Sequence, residues 1–176
     1  SGVAMPTDTP PAHSKKTNAV VALGGLRETL GFHIAKAAVE TGKAFTAFVS
    51  EPLGLRKVEY SLLLVLQANP ALLPKQLASV LSITAPNLTT LLDKFEQQGW
   101  ASRLPNPEDG RSQLVHLTPS GRALATRCEE VGADMAAHWV ARLSQAESQL
   151  LNRLLIKLYG AGDAPTSDVT SDVTSE

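Results

Sequence analysis

Apolar positions recur at helical spacing along most of the chain and switch to alternation in one short stretch. From about residue 26 to 50, Leu26, Leu30, His33 with Ile34, Ala37, Thr41, Ala44 with Phe45, and Phe48 follow a 3.6-residue period. This predicts a long helix that Pro52 and Gly54 end. A second helix is predicted over about 56–68, with Val58, Leu62, Val65 and Leu66 inward, stopped by Asn69-Pro70. A short third helix, about 74–81, turns Leu77, Ala78 and Leu81 inward. Leu73 before it carries no capping oxygen, and Pro74 at the first position partly compensates. Ser82-Ile83 make a turn, Thr84 caps a helix over about 85–98, and Leu88, Leu91, Leu92 and Phe95 form its inward face. Gly99 is placed to end that helix in a left-handed conformation.

Two strands, about 101–104 and 113–117, then flank the turn-rich tip Asn106-Pro107-Glu108-Asp109-Gly110-Arg111, which reads as a hairpin. Thr118-Pro119 supplies a cap and a first-turn proline for a helix over about 119–143. Ser144 to Glu147 spell a capping box for a last helix carrying Leu150, Leu151, Leu154, Leu155, Ile156, Leu158 and Tyr159. That apolar surface is too wide to be covered by one neighbour, so the first and last helices are expected to build a dimer. The fold class expected is mainly α with a small β-wing (α+β). Helix, turn, helix, hairpin is the order of a winged helix-turn-helix, a module that grips duplex DNA, here with N- and C-terminal dimerisation helices.

The 176 residues suit one domain. Residues 1–18 read as a flexible arm, 19–160 as the folded domain, and 161–176, with the repeat Ser-Asp-Val-Thr, as a disordered acidic tail. Within the domain the winged helix spans about 56–118, and the dimerisation helices about 26–50 and 119–160. No apolar run reaches the roughly 18 residues of a membrane span, and the N-terminus is polar. One cysteine, Cys128, excludes an internal disulfide and fits a reducing, cytoplasmic compartment. The net charge is −1; without Asp168, Asp172 and Glu176 of the tail it becomes +2. Charge alone therefore does not point to nucleic acid, and the order of elements must carry that claim.

On the helix over 85–98 the face opposite the apolar set offers Thr84, Asn87, Thr89, Thr90 and Lys94, with Ala85 and Pro86 at its start. Short hydroxyl and amide groups suit a surface in the major groove: Asn can bond adenine bidentately and Thr methyls can meet thymine methyls. The helix N-terminus can receive a phosphate. Arg103 on the first strand and Arg111 past the hairpin tip are candidate contacts, because an arginine on a wing can enter the narrow minor groove. Asp109 is placed to orient the Arg111 guanidinium.

The chain resembles the MarR family of bacterial regulators through Leu77-Ala78, Leu91, Leu92, Glu96 and Gly99, then Arg103, Asp109-Gly110-Arg111, Leu117-Thr118 and Gly121. Trp100, where an aliphatic residue is usual, and Leu73, where a capping hydroxyl is usual, depart from the pattern. The resemblance covers about Leu26 to Tyr159. It implies a homodimer on a palindromic operator in double-stranded DNA, with each recognition helix in a major groove and each wing in the flanking minor groove. It also implies repression relieved by a small molecule or oxidant. The effector pocket it implies lies between the DNA-binding lobe and the dimer helices; here His33, Phe45, Phe48, Arg56 and Tyr60 are the candidates for a phenolic or aromatic acid.

Cys128 is the alternative sensor, but Glu129-Glu130 beside it would raise a thiol pKa. His13, His116 and His138 show no metal-ligand spacing, and no metal or other cofactor is expected. No nucleophile-elbow, P-loop or dinucleotide motif occurs, so no enzyme is expected. A winged helix used only for protein contact is the other reading. It differs in predicting no steep salt dependence of duplex binding.

Overall fold

The computed structural model describes residues 21–139 and 141–160. The arm over 1–18 and the tail over 161–176 lie outside the described residues. By internal packing the chain divides into two units, Ser1–Val39 and Glu40–Glu176.

In the first unit the long helix starts later than the apolar stripe suggests. A 3-10 turn, Gly24–Glu28, comes first, and α1 (Leu30–Phe45) follows after Thr29, whose backbone is extended. The Thr29 carbonyl takes the first helical N–H bonds, from Phe32 and His33, and its hydroxyl donates back to the Gly25 carbonyl at 3.0 Å. Leu23, Leu26, Leu30 and Val39 are all exposed.

Pro52 and Gly54 are the two residues expected to end the long helix, and the helix passes the first of them. After Phe45 the backbone widens into a π-turn, Thr46–Ser50, and closes with α2, Glu51–Leu53. A π-turn shifts the pairing by one residue, so the N–H that proline lacks is not needed. The helix ends at Gly54, with φ 68, the second of the expected stops.

The core of the second unit is built by α3 (Lys57–Ala68), α4 (Pro74–Val80), α5 (Ala85–Gln97) and α6 (Pro119–Trp139) around Leu62, Leu63, Leu66, Leu77 and Phe95. α6 packs along α3 through Ala125 and Cys128, both at 0% exposure. α6 stops at Trp139, earlier than its sequence pattern suggests, and α7 (Gln145–Tyr159) opens on the expected capping box of Ser144 and Glu147. α7 buries none of its residues.

The wing is the antiparallel pair β1 (Ala101–Pro105) and β2 (Gln113–Leu117), with Ala101 opposite Leu117 and Pro105 opposite Gln113. Its inner face buries Ala101, Val115 and Leu117. Leu72, in the α3–α4 loop, adds a one-residue bridge to Val115 with backbone bonds of 2.8 and 3.2 Å. A single-residue bridge has no period, so no sequence pattern announces it. Trp100 sets its ring edge-on to Phe95 at 5.3 Å and fills the base of the wing.

The turn between α4 and α5 holds Ser82 at φ 52, a left-handed conformation that costs a side chain about 1–2 kcal/mol. Ser82→Gly is therefore expected to stabilise the protein by about 0.5–1 kcal/mol, the relief less the greater entropy of glycine in the unfolded chain. Thermal unfolding checks it as a midpoint raised by about 1–4 °C.

Candidate nucleic-acid interface

α5 is amphipathic in the manner its sequence predicts: Leu88, Leu91, Leu92 and Phe95 are buried. Ala85, Pro86, Asn87, Thr89 and Thr90 are exposed on the other side. Thr84 closes the N-terminus, its Oγ1 accepting the Asn87 N–H at 3.4 Å. The hydroxyls of Thr89 and Thr90 donate to the carbonyls of Ala85 and Pro86 at 3.0 and 3.2 Å. Their protons are thus used inside the helix, which leaves methyls and acceptor lone pairs to face outward. The Asn87 amide has no partner among the described residues, so both its donor and its acceptor remain for a base edge.

Lys94, expected on the outward face, is 42% exposed and bends its tip to a carboxylate. Its ammonium donates to Oε1 of Glu59 at 2.6 Å. Glu59 is wholly buried, and it also accepts from the Arg56 backbone N–H at 3.0 Å, from Nε at 2.9 Å and from Nη2 at 2.8 Å. Burial pushes the Glu59 carboxyl up, but these bonds from Arg56 and Lys94 outweigh it and hold the group below its usual range. A carboxyl depressed in the folded state stabilises above its unfolded pKa and loses that contribution as pH falls. Wild-type protein is expected to lose stability below about pH 4.3 more steeply than Glu59→Gln, as chemical denaturation across pH will show. Glu59 was missed in the sequence, although it shares a helical stripe with Leu62, Leu63 and Leu66.

Arg103, the other candidate contact on the wing, is also paired within the protein. Its guanidinium donates to Glu96 and, at 2.6 Å, to Asp93, while its backbone N–H donates to Glu96 at 3.0 Å. The bond to Glu96 and then that to Asp93 drive Arg103 further from deprotonation, and Arg103 holds Glu96 below its usual range. Only 24% of the Arg103 side chain is exposed. It fastens β1 to the C-terminal half of α5.

At the hairpin tip Asp109 does not orient the Arg111 guanidinium. Its Oδ1 accepts the Arg111 backbone N–H at 3.1 Å and so shapes the turn. Asn106 does the same for Glu108 at 3.1 Å and ties across to Ser112 at 3.0 Å. The Arg111 side chain is exposed and carries no ion pair among the described residues. Its charge is therefore available to an anion.

The sequence pattern that defines the MarR family matches residues 53–112. The chain is 34% identical over 108 residues to the multiple antibiotic resistance protein MarR of Escherichia coli (strain K12), covering 61% of this chain and 75% of that one. The chain belongs to the MarR family. It is also 37% identical over 107 residues to an HTH-type transcriptional repressor of Mycobacterium tuberculosis, covering 61% of this chain and 77% of the repressor. Among solved structures it is similar to the repressor CouR bound to a 23-mer DNA duplex, with a TM-score of 0.73 and 28% identity over 79% of this chain and 98% of that one. It is similar too to a mutant MarR from E. coli complexed with operator DNA, with a TM-score of 0.67 and 30% identity over 78% and 99% of the two chains. It is thus a MarR-type winged-helix transcriptional regulator that binds DNA.

Of the residues expected to line an effector pocket, Phe45, Phe48, Arg56 and Tyr60 of the second unit are not gathered around one cavity. Phe45 and Tyr60 meet edge-on at 5.5 Å within the core. Arg56 faces a groove beside α5. Phe48 lines a different groove, of about 230 Å³, with Lys43, His138, Trp139 and Arg142. His33 belongs to the first unit, where its Nε2 N–H donates to the Arg27 carbonyl at 2.8 Å. The apolar period put His33, Phe45 and Phe48 on the inward stripe of the first helix, yet Phe45 packs on Tyr60 while Phe48 lines the groove beside His138.

Cys128 is wholly buried, and burial pushes its thiol up to about 11, with Arg127 lowering it and Glu129 raising it. The reactive thiolate is therefore scarce at neutral pH. Peroxide is expected to leave duplex binding unchanged, and alkylation of Cys128 to require denaturation, as mass spectrometry of native and unfolded samples will show. Among the described residues no cluster of metal-ligating side chains occurs. No described helix is long and apolar enough to cross a membrane.

Proposed function

We propose that the protein is a homodimeric repressor that binds a palindromic operator and is released by a small aromatic acid. The observation that carries the DNA part is the exposed face of α5, where the Asn87 amide stands unpartnered among the described residues beside the methyl-bearing Thr90 and Thr89. In this reading α5 enters the major groove, Arg111 enters the flanking minor groove, and Arg103 and Asp109 hold the wing in shape. CouR and MarR, each bound to a duplex in the solved structures, support it.

The dimer is supported by the apolar residues that α7 leaves in water: Leu150, Leu151, Leu154, Ile156, Leu158 and Tyr159 are between 42% and 70% exposed. A dimer must set its two recognition helices about one turn of DNA apart, roughly 34 Å. An effector that favours another spacing would release the DNA by shifting the population of dimers. The groove lined by Phe48, His138 and Trp139, with Lys43 and Arg142 at hand, suits an aromatic ring bearing a carboxylate.

Footprinting on the DNA flanking the gene, with and without a panel of aromatic acids, tests the whole reading. A protected palindrome that the acids clear supports it. No protected site overturns the operator, and a footprint untouched by the panel overturns the effector class. Sedimentation showing a monomer at working concentrations overturns the dimer.

A further inference from the structure

We propose that Arg56 is a contact to the backbone phosphates of the bound duplex, held ready by Glu59. The proposal rests on the DNA-binding reading of α5 and adds a second element, the start of α3, to the interface.

Arg56 caps α3 and lines one open groove, of about 350 Å³, together with Asn87 and Thr90 of the reading face. Its side chain is 68% exposed even though Nε and Nη2 both bond Glu59. One edge of the guanidinium is thus fixed to the protein, and the Nη1 edge has no partner among the described residues. The carboxylate of Glu59 serves two cations, Arg56 and Lys94, so the cluster keeps one unit of positive charge in excess.

Groove dimensions say what that charge meets. The major groove is about 12 Å wide and a helix with its side chains about 10–12 Å across, so a helix lying in it fills it wall to wall. A side chain on the flank of such a helix faces the phosphate ridge, not the base edges. Arg56 occupies that flank, beside Asn87 and Thr90. A guanidinium with one edge anchored and one edge open presents two parallel donors to a phosphate, with little side-chain freedom left to lose.

Phosphate contacts are independent of base sequence, so any duplex tests the proposal. The full chain is titrated against a labelled random-sequence duplex three helical turns long, about 30 base pairs, across a salt series from about 50 to 200 mM. The slope of log affinity on log salt is expected to flatten by about 0.9 for each engaged protomer in Arg56→Ala and Arg56→Gln, and to persist in Arg56→Lys. Glu59→Gln leaves both cations unbalanced, and its slope is expected to be at least as steep as that of the wild type.

If Arg56→Ala weakens binding without flattening the slope, or alters neither, the proposal is overturned. It is overturned too if Glu59→Gln flattens the slope as Arg56→Ala does, because the effect is then structural. Benzoate titrations give a further arm. If Arg56→Ala loses benzoate binding while its duplex slope is unchanged, the groove takes a small anion and not DNA. A wild-type chain with no salt-dependent duplex binding overturns the DNA-binding reading itself, an outcome distinct from the others.

Discussion

Gly121→Ala is expected to destabilise the protein by about 3 kcal/mol or more. A Cβ at this position would lie 1.9 Å from the Trp100 carbonyl oxygen and 2.8 Å from its carbon. The clash is with backbone, so no rotamer relieves it. That oxygen also accepts the Thr118 N–H at 3.0 Å, and the Gly121 N–H donates to Thr118 Oγ1 at 3.0 Å. Thr118 Oγ1 in turn donates to the Gly99 carbonyl. The close approach therefore joins three things at one point: the end of α5, the base of the wing and the start of α6. Opening it by the ångström or more that a methyl requires breaks these bonds together. The thermal midpoint is expected to fall by about 6–12 °C, and duplex binding is expected to fall with it. Gly132→Ala is the control. Its Cβ would lie 2.5 Å from the Tyr60 hydroxyl, the far end of a side chain, which can swing aside, so its loss is expected to be smaller. Equal losses in the two variants would refute the account of the junction.

Asn87→Ala is expected to act on binding alone. The side chain is exposed and makes no bond within the described residues, so its removal costs the fold nothing, and alanine is the better helix former. A bidentate amide contact to adenine discriminates by about 1–3 kcal/mol. In a palindrome the contact occurs twice, so affinity for the operator is expected to fall between about 30-fold and 10⁴-fold. Preference at one base position in each half-site relaxes at the same time. Anisotropy titrations on the operator and on its single-base variants measure both effects. Unchanged affinity, or a uniform loss at every position, would remove Asn87 from the reading face. The Arg56 variants differ in kind, since they alter the response to salt and leave the base preference alone.

Much of this was legible before any coordinates. The stripe Leu88, Leu91, Leu92, Phe95 predicted the buried side of α5 residue for residue, and the opposite face followed from the helical period. Gly99, with φ 71, ends α5 as its position suggested, and the capping box of Ser144 and Glu147 opens α7. These are local features, set by neighbours a few residues away. Of the two expected stops, Gly54 ends the long helix and Pro52 does not, because a proline stops a regular helix but not one that can widen by a π-turn. The partners of the charged residues were less legible. Lys94 lies 35 residues from Glu59, and Arg103 lies 7 and 10 residues from Glu96 and Asp93 across a turn. A long flexible side chain goes to whichever partner the packing brings within reach, and periodicity does not encode that choice.

What the chain determined by itself is the order of elements and the side of each that is buried, because helix periods, caps and turns act over a few residues. That sufficed to announce a winged helix-turn-helix and to select Asn87, Thr89, Thr90 and Arg111. Tertiary structure alone decided which carboxylate each cation meets. Packing of α3 against α5 places Glu59 under Lys94 and Arg56, and packing of β1 against α5 places Glu96 and Asp93 on Arg103. Coulomb attraction over a few ångströms depends on distance in space, and only the fold supplies that distance.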